Sequence, residues 1–445
     1  MKSRAHLGSN VQSGGEMEIK RDYYLNQLIA YKFDGLVKVI TGLRRSGKSY
    51  LLNKIYRNHL LASGITEDQI ISIELDLAKD IKYRNPLELA SYVRGLVSKK
   101  DKPFYLFIDE IQMSDVVANP YNPDGAKISF YDALNDLNSI ANLDIYVTGS
   151  NSKLLSSDIL TQFRGRASEI RVHPLSFSEY FSAVGGDSLV AFNDYSVYGG
   201  MPLIISRPND AAKMHYLKSL FSEVYIKDIV ERRKIERQDV LEHIIDLLCS
   251  SIGSLTNPNK LRNTLKSKLN TDVSSNTIRA YITHLQDAFL FSESKRYDVK
   301  GKSYFDFPNK YYAEDIGLRN ARLGFRQQEI THIMENIIYN ELIIRGFSVD
   351  VGVVHERVVN NNANSVRLPR EIDFVATLGG KKVYIQSTYI IDNEEKQHIE
   401  KRPFSLIQDS FPKIIIRRDV GKRWYDNDGI LHINIIDFLL DKTVI

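Results

Sequence analysis

The sequence predicts an α/β chain in which a parallel sheet between helices is followed by helical and further α/β blocks. Up to about residue 175, short apolar runs alternate with longer amphipathic stretches, which is typical of a parallel sheet covered on both faces. Beyond that point apolar residues recur at helical spacing, and in the last third a Gly379-Gly380 turn joins two predicted strands. The chain therefore belongs to the α/β class.

Length, charge and cysteine content narrow the possibilities. A chain of 445 residues corresponds to about two to four domains. The net charge of +4 is too small to argue for nucleic acid by itself. The single cysteine, Cys249, excludes an internal disulfide framework and a cysteine-based zinc site. No signal segment and no apolar run near 18 residues is found, so we expect a cytoplasmic protein with no membrane partner.

Five strands are predicted in the first part of the chain, each built around a short apolar run. These runs cover residues 36–42, 70–75, 104–110, 143–150 and 169–175. Because the carboxyl ends of parallel strands share one sheet edge, polar residues that follow these strands are the first candidates for a site.

The first strand leads into Gly42-x-x-x-x-Gly47-Lys48-Ser49, and a helical pattern follows. A glycine-rich turn at this place directs backbone N–H groups toward one point at the positive end of a helix. Lys48 can then reach the β- and γ-phosphates of a nucleotide, and Ser49 can ligate Mg²⁺. The strand before and the helix after disfavour a chance match in a basic loop. The residues expected to bind nucleotide are Gly42, Leu43, Arg44, Arg45, Ser46, Gly47, Lys48, Ser49 and Tyr50.

The third strand ends in Asp109-Glu110, an acidic pair at the same predicted edge. Asp109 can hold the Mg²⁺ shell, and Glu110 can orient and polarise an attacking water. A buried strand followed by an acidic surface turn would look similar. Two carboxylates behind a phosphate loop nevertheless favour hydrolysis over storage of the nucleotide.

Polar residues after the fourth strand are further candidates. Ser150 and Asn151 could touch the γ-phosphate or the water, although both are also ordinary turn and cap residues. Arg164 and Arg166 precede the fifth strand, and either could stabilise charge on the phosphoryl group of a neighbouring subunit. Both arginines could equally be solvated surface residues.

Taken together, "TGLRRSGKS", "LFIDEIQ", "VTGSNSKLLSSDILTQFRGR", "HPLSFSEY" and "YGGMPL" occur in an order that resembles bacterial and archaeal AAA-type P-loop ATPases with a C-terminal domain of unknown function. The resemblance implies a P-loop core, a helical lid and ATP as the ligand. It also implies that Gly200 and Pro202 belong to a lid motif over the adenine. From the residues alone, "YGGMPL" is only a turn between helices.

The expected organisation has five parts. They are a flexible extension at 1–16, a P-loop ATPase core at 17–175, a helical lid at 176–235, a winged-helix-like domain at 236–313 and a nuclease-like α/β domain at 314–445.

The middle block concentrates the basic excess of the chain. Residues 257–310 contain ten Lys and Arg residues against five acids, a balance of +5. Two helical patterns and a hairpin-like stretch resemble a winged helix, in which Arg279 on the second helix and Lys300 and Lys302 on the hairpin would suit DNA phosphates. A structural winged helix with a solvated face is the alternative.

The last block resembles the PD-(D/E)XK nuclease fold but is expected not to cut. Asp373 and Glu371 lie on one face of a strand, whereas the Glu-x-Lys positions of the next strand are Gln386-Ser387-Thr388. Thr388 cannot replace an ammonium group. Glu335 and Glu341 on the upstream helix could add a carboxylate, and Lys381 and Lys382 lie too far along the strand to substitute.

Three functions compete at this stage. The first is a Mg²⁺-dependent ATPase that associates with itself and whose appended domains contact DNA. The second is a nucleotide-switched module that a partner protein recognises. The third is a nuclease gated by ATP, which requires an intact metal-dependent site in the last domain.

Overall fold

The structure is a computed structural model that describes residues 19–97, 102–149, 163, 165–326, 329–359 and 365–445. The extension expected at 1–16, together with Ser150, Asn151 and Arg164, lies outside the described residues. Where the chain is described, no helix combines the length and apolar character needed to cross a membrane.

The first part of the chain forms a five-stranded parallel sheet, as the alternating pattern predicts. Its strands are β1 (Val37–Thr41), β2 (Ile70–Glu74), β3 (Phe104–Asp109), β4 (Leu143–Thr148) and β5 (Ala167–Arg171). Their order across the sheet is β2-β3-β4-β1-β5, which places the ends of β1 and β3 on either side of β4. Strands β1, β3 and β4 are buried along their whole length, since helices cover both faces. This core confirms the predicted parallel α/β architecture.

Four helices flank this sheet. They are α1 (Asp22–Ala30), α2 (residues 48–62, in the segments Lys48–Tyr50, Leu51–Tyr56 and Arg57–Ala62), α3 (Pro86–Val97) and α4 (Phe130–Leu137). Short 3₁₀ turns occur at Glu67–Gln69, Ala78–Arg84 and Ile111–Met113. Apolar side chains of α1 and α2 pack on one face of the sheet, and those of α3 and α4 pack on the other.

A helical region follows the sheet. Its members are α5 (Phe177–Val184), α6 (Ser188–Tyr198), α7 (residues 210–233, in the segments Asp210–Ser219, Leu220–Ile226 and Lys227–Arg233), α8 (Gln238–Ser250), α9 (Pro258–Leu269) and α10 (Ser275–Asp287), with a 3₁₀ turn at Pro202–Ile204. Asn257 and Ser274 cap α9 and α10 through their side-chain oxygens. In α10 a buried stripe and an exposed stripe alternate at helical spacing.

The remaining elements build two further sheets. The strands are β6 (Phe291–Ser294), β7 (Arg296–Asp298), β8 (Ser303–Tyr304), β9 (Lys310–Ala313), β10 (Ser348–Val359), β11 (Ser365–Leu378), β12 (Lys381–Thr388), β13 (Lys413–Arg417), β14 (Trp424–Tyr425) and β15 (Leu431–Asn434). The helices are α11 (Ile316–Arg322), α12 (Ile330–Ile344), α13 (Glu394–Ser405) and α14 (Ile435–Leu440). Strands β6 and β9 pair as a small antiparallel sheet, and the others form a mixed sheet in the order β14-β15-β13-β12-β11-β10-β7-β8.

The hairpin β7–β8 therefore belongs to the mixed sheet of the last block, because β7 pairs in parallel with β10. In addition, one continuous cluster of buried apolar residues extends from α5 and α6 through α10 to β12 and α14. The helical region, the middle block and the last block thus share a core, whereas the five-stranded sheet has apolar clusters of its own.

Candidate functional site

The glycine-rich loop connects β1 to α2. Gly42 has a φ of +127°, and a Cβ at this position would lie 2.1 Å from the carbonyl oxygen of Val172. Only glycine fits so close to that backbone. The loop is held from the other side by Arg21, whose side chain donates to the carbonyl oxygens of Ser46 (3.2 Å) and His173 (2.7 Å). The loop conformation is thus fixed by the residues that follow β5 and by Arg21, which precedes α1.

Lys48 is the first residue of α2 and is only 4% exposed. Its Nζ donates to the carbonyl oxygens of Gly42 and Leu43, each 3.0 Å away, so the ammonium lies inside the turn. Burial lowers the pKa of Lys48 to about 8, although the nearby carboxylates of Glu110 and Asp109 act in the opposite direction. Among the described residues, the hydrogen-bond partners of this ammonium are these two carbonyl oxygens.

Asp109 and Ser49 meet at the edge of the sheet, as the sequence predicts. Ser49 Oγ donates to Asp109 Oδ1 across 3.0 Å, and the hydroxyl of Thr148 donates to the same oxygen. A serine hydroxyl and a carboxylate are hard oxygen donors of the kind that Mg²⁺ prefers. The two residues fit a magnesium ion, which would supply charge neutralisation to bound phosphates.

Glu110 follows β3 in a left-handed conformation with φ +55°. Its backbone N–H donates to Thr148 Oγ1 across 3.1 Å, and its carboxylate accepts from the side-chain amide of Gln112. Burial raises the pKa of Glu110, and the ammonium of Lys48 partly offsets this effect. Thr148 thus ties the acidic pair to the end of β4.

A cleft of about 740 Å³ opens over the loop. Its polar lining includes Arg44, Lys48, Ser49, Asp76 and Glu110. Its apolar lining consists of Ile19, Leu175, Pro202, Leu203 and Ile205. Charged and apolar side chains in one cleft match a ligand that carries both phosphates and a base.

The arginines of the loop contact the helical region. Arg44 Nη1 lies 3.4 Å from Asp228 Oδ1 on α7, and the hydroxyl of Tyr225 donates to the carbonyl oxygen of Arg44 across 2.7 Å. The loop is therefore in direct contact with α7. Arg166 lies just before β5 with its side chain exposed, and among described residues it forms no ion pair.

The "YGGMPL" stretch is more than a turn. The backbone N–H of Gly200 donates to Asp315 Oδ2 across 2.7 Å, and its carbonyl accepts from the N–H of Leu175 at the same distance. A Cβ on Gly200 would lie 2.1 Å from the carbonyl oxygen of Leu175. The motif therefore joins the segment after β5 to the start of α11, and it leaves Pro202 on the cleft.

Comparison with known proteins assigns the chain to a family. A family model described as an AAA domain matches residues 34–181, and a model described as a domain of unknown function (DUF8612) matches residues 190–329. An uncharacterized protein of Haemophilus influenzae is 33% identical over 429 residues, which cover 95% of this chain and 98% of that protein. The chain belongs to this family of AAA-domain proteins.

Two further similarities involve more distant proteins. An uncharacterized protein of Methanocaldococcus jannaschii is 29% identical to the AAA-domain chain over 392 residues, covering 84% of this chain and 79% of that one. The Walker-type ATPase of Pyrococcus abyssi is 16% identical, with 69% of this chain and 96% of that chain covered and a TM-score of 0.48. The family match confirms the AAA-type resemblance that the motifs indicated.

A second group of charged residues lies in the last block of the AAA-domain protein. Lys310 from β9 places its Nζ 2.8 Å from Glu335 Oε1, 2.7 Å from Glu371 Oε1 and 3.6 Å from Asp373 Oδ1. Burial, followed by the charge of Glu335, raises the pKa of Asp373. Gln386 Oε1 accepts from the backbone N–H of Asp373 across 3.2 Å. The predicted carboxylates Glu335, Glu371 and Asp373 are therefore brought together.

The other residues considered for this place lie elsewhere. Glu341 pairs with Arg345, and Lys382 lies over the rings of Tyr297, Tyr384 and Phe411. Sequence reasoning missed the role of Lys310, which was counted only as part of the basic block. The available signal was a lysine at the start of an otherwise apolar strand. Among the described residues, no group of three or more His, Cys, Asp or Glu residues is arranged to hold a metal ion.

Proposed function

We propose that this AAA-domain protein binds ATP with Mg²⁺ and hydrolyses it. The observation that carries the proposal is that Lys48, Ser49 and Glu110 line one cleft together with apolar side chains, and that Ser49 bonds Asp109. Phosphoryl transfer of this type depends mainly on positioning and electrostatic stabilisation, which these groups can supply. The AAA-domain family match supports the same class of activity.

In this proposal the residues have separate roles. Lys48 leaves the two loop carbonyls and binds the β- and γ-phosphates. Ser49 and Asp109 would hold Mg²⁺, which would neutralise charge on the phosphates when bound. Glu110 orients and polarises the attacking water, and its backbone is held by Thr148. Pro202 and the other apolar residues of the cleft contact the base.

We propose that Arg166 completes the site of a neighbouring copy. Its side chain is exposed and free of described ion pairs, so it can reach another molecule. A guanidinium supplied in this way would stabilise charge on the transferring phosphoryl group. Arg164 and the polar residues Ser150 and Asn151 stay sequence-based candidates for the same chemistry.

The test of the proposed function is phosphate release from ATP by the purified protein. Release is compared with Mg²⁺ present and with Mg²⁺ removed by EDTA, and GTP is added as the competing nucleotide. Release that requires Mg²⁺ and Lys48 supports the proposal. Absence of both phosphate release and nucleotide binding, with ATP and Mg²⁺ present, would refute it. A rate per molecule that rises with protein concentration, and that is lost in Arg166→Ala, would support the role of a neighbouring copy.

We further propose that the middle block contacts DNA in the manner of a winged helix. The exposed stripe of α10 consists of Asn276, Arg279, Ala280 and Thr283, and the β7–β8 turn exposes Lys300 and Lys302. Arg279 and these lysines can contact phosphates. Arg279→Ala is expected to weaken duplex binding in a salt-dependent way, and unchanged binding would contradict this role.

The nuclease-like block is proposed not to cut. The ammonium of Lys310 contacts Glu335, Glu371 and Asp373, and these described carboxylates are not arranged to hold a metal ion. Plasmid and single-stranded DNA should therefore stay intact with Mg²⁺ or Mn²⁺, with and without ATP. Cleavage by the parent protein that disappears in Asp373→Ala would overturn this proposal and establish the nuclease alternative.

A further inference from the structure

The outer parts of β10 and β11 form a two-stranded arm. Strand β12 pairs with β11 only along residues 374–378, and β7 pairs with β10 only along residues 351–353. Residues 354–359 and 365–370 pair only with each other among the described strands, in six consecutive pairs. At about 3.3 Å per residue the arm is roughly 20 Å long.

The two faces of the arm differ in charge. On one face Arg357 is directly opposite Arg367, between the pairs His355–Pro369 and Val359–Ser365. The only acidic residue of the arm, Glu356, belongs to the other face, where Arg370 and Arg402 bind its carboxylate. The first face is thus purely basic or neutral along the whole arm. We call it the basic arm face.

The pairing of Arg357 with Arg367 costs stability. Side chains that are directly opposite each other in an antiparallel pair are about 5 Å apart at Cβ, and like charges at this distance repel. Both arginines are exposed, and neither forms an ion pair with a described carboxylate. An anionic ligand would turn the repulsion into a contact.

The basic arm face adjoins other cationic residues. Strand β7 runs parallel to β10 and ends beside Val353, where the arm begins, and the backbone N–H of Val299 donates to the carbonyl oxygen of Val353. The turn that follows carries Lys300 and Lys302, both exposed. The two lysines therefore lie near the base of the arm, where the next pair on the basic arm face is Val353–Glu371 and the carboxylate of Glu371 is paired with Lys310.

We propose that the basic arm face is a docking surface for duplex DNA. A two-stranded β-ribbon has the dimensions that the major groove admits, and a duplex offers a dense row of phosphate charges. The arginine pair would contact phosphates of the two groove walls or of one strand, with His355 beside them. Val359 is 74% exposed near the end of the arm and would contact sugars or bases. The residues of this face neither line the nucleotide cleft nor belong to α10.

The proposal is tested with a fluorescently labelled DNA duplex and the full chain, with anisotropy as the readout between about 50 and 200 mM salt. The double variant Arg357→Glu/Arg367→Glu should bind at least about 10-fold more weakly, and its salt dependence should fall by about two units of slope. The double variant Lys127→Glu/Lys422→Glu makes the same change of net charge at exposed positions and should bind as the parent does. ATP turnover without DNA should be unchanged in both, so a failure here is distinct from a failure of the proposed ATPase activity.

A structural role is excluded with the single variant Arg367→Glu. It replaces a repulsive cross-strand pair by an attractive one, so the melting temperature should stay level or rise while duplex binding falls. A melting temperature that falls together with binding would overturn the proposal. So would duplex binding that the double arm variant leaves unchanged, absence of duplex binding by the parent, or an effect of the variant on single-stranded DNA or RNA alone.

Discussion

Ser49 Oγ donates a hydrogen bond to Asp109 Oδ1 across 3.0 Å, which joins the phosphate loop to the end of β3. The same carboxylate oxygen accepts from Thr148, so two hydroxyl groups orient one carboxylate. Ligands of a metal ion are generally oriented by such neighbours. The arrangement places a predicted Mg²⁺ site between a loop and a strand that are distant in sequence.

Thr148→Val tests this orientation without changing the size of the side chain. The variant loses the donor to Asp109 and the acceptor for the N–H of Glu110. We expect the Mg²⁺ concentration needed for half-maximal ATP turnover to rise roughly 10- to 100-fold, as is usual for residues behind a metal ligand. A Mg²⁺ titration of phosphate release measures this. Parent-like behaviour in a folded variant would contradict the role of Thr148.

Lys48→Met should stabilise the protein while it removes nucleotide binding. Burial lowers the pKa of Lys48 from 10.5 to about 8, so the folded state stabilises the protonated side chain less than the unfolded state does. Below pH 8 the side chain is protonated in both states, and its charge destabilises the folded state. Removing that cation should raise the free energy of unfolding by on the order of 3 kcal/mol at pH 7. The gain should shrink as the pH rises through 8 toward 10.5. Thermal melts at the two ends of this range measure it, and a destabilised variant at pH 7 would contradict it.

ATP binding should take up protons in alkaline solution. Lys48 is largely neutral above pH 8 in the free protein, and bound phosphates would favour its charged form. Titration calorimetry in two buffers with different ionisation enthalpies measures the proton uptake that accompanies ATP binding. This uptake should be larger at pH 9 than at pH 7. Equal uptake at both pH values would mean that the ammonium of Lys48 does not meet the phosphates.

Glu314 connects the five-stranded sheet to the shared core of the later blocks. Its carboxylate lies 2.7 Å from Arg171 Nη2 and 2.6 Å from His173 Nδ1. Burial alone would raise the pKa of Glu314, but these two partners outweigh it and lower the pKa to about 2. The resulting stability is fully present above pH 4.5 and is lost as the pH falls toward 2.

Glu314→Gln should therefore lower the free energy of unfolding at pH 7 by on the order of 3 kcal/mol, and the melting temperature should fall with it. The exposed Glu395→Gln is the matched control and should melt as the parent does. The difference between Glu314→Gln and the parent should diminish in acid. Equal melting temperatures of the two variants at neutral pH would show that this contact does not hold the blocks together.

Local patterns in the sequence led to the proposed nucleotide site because its parts are short strands followed directly by polar residues. For Gly42, Lys48 and Asp109, the adjacent residues in the sequence were enough to predict a position at the end of a strand or in the loop. Thr148 was less visible, since a threonine at a strand end is common. The close approach of Gly200 to Leu175 is a contact across the chain, and "YGGMPL" by itself predicts only a turn.

The carboxylate cluster of the last block could be predicted only in part from the sequence. Spacing along β11 predicted that Glu371 and Asp373 share a face, and both contact Lys310. The position of Lys310 could not be predicted, because β9 is distant in sequence from β11. The lysine reaches the carboxylates only through the packing of these elements in the folded chain. The hairpin β7–β8 likewise resembles a local wing, although its pairing with β10 depends on a strand much later in the chain.

The central claim, that this site hydrolyses ATP, is tested most directly by Glu110→Gln. Nucleotide binding and phosphate release are measured in parallel on the parent and the variant, with ATP and Mg²⁺ at saturation. The amide keeps the size of the side chain but cannot act as a base, so binding should be retained while turnover falls by roughly 100-fold or more. Turnover equal to that of the parent, in a variant that still binds ATP, would contradict the account.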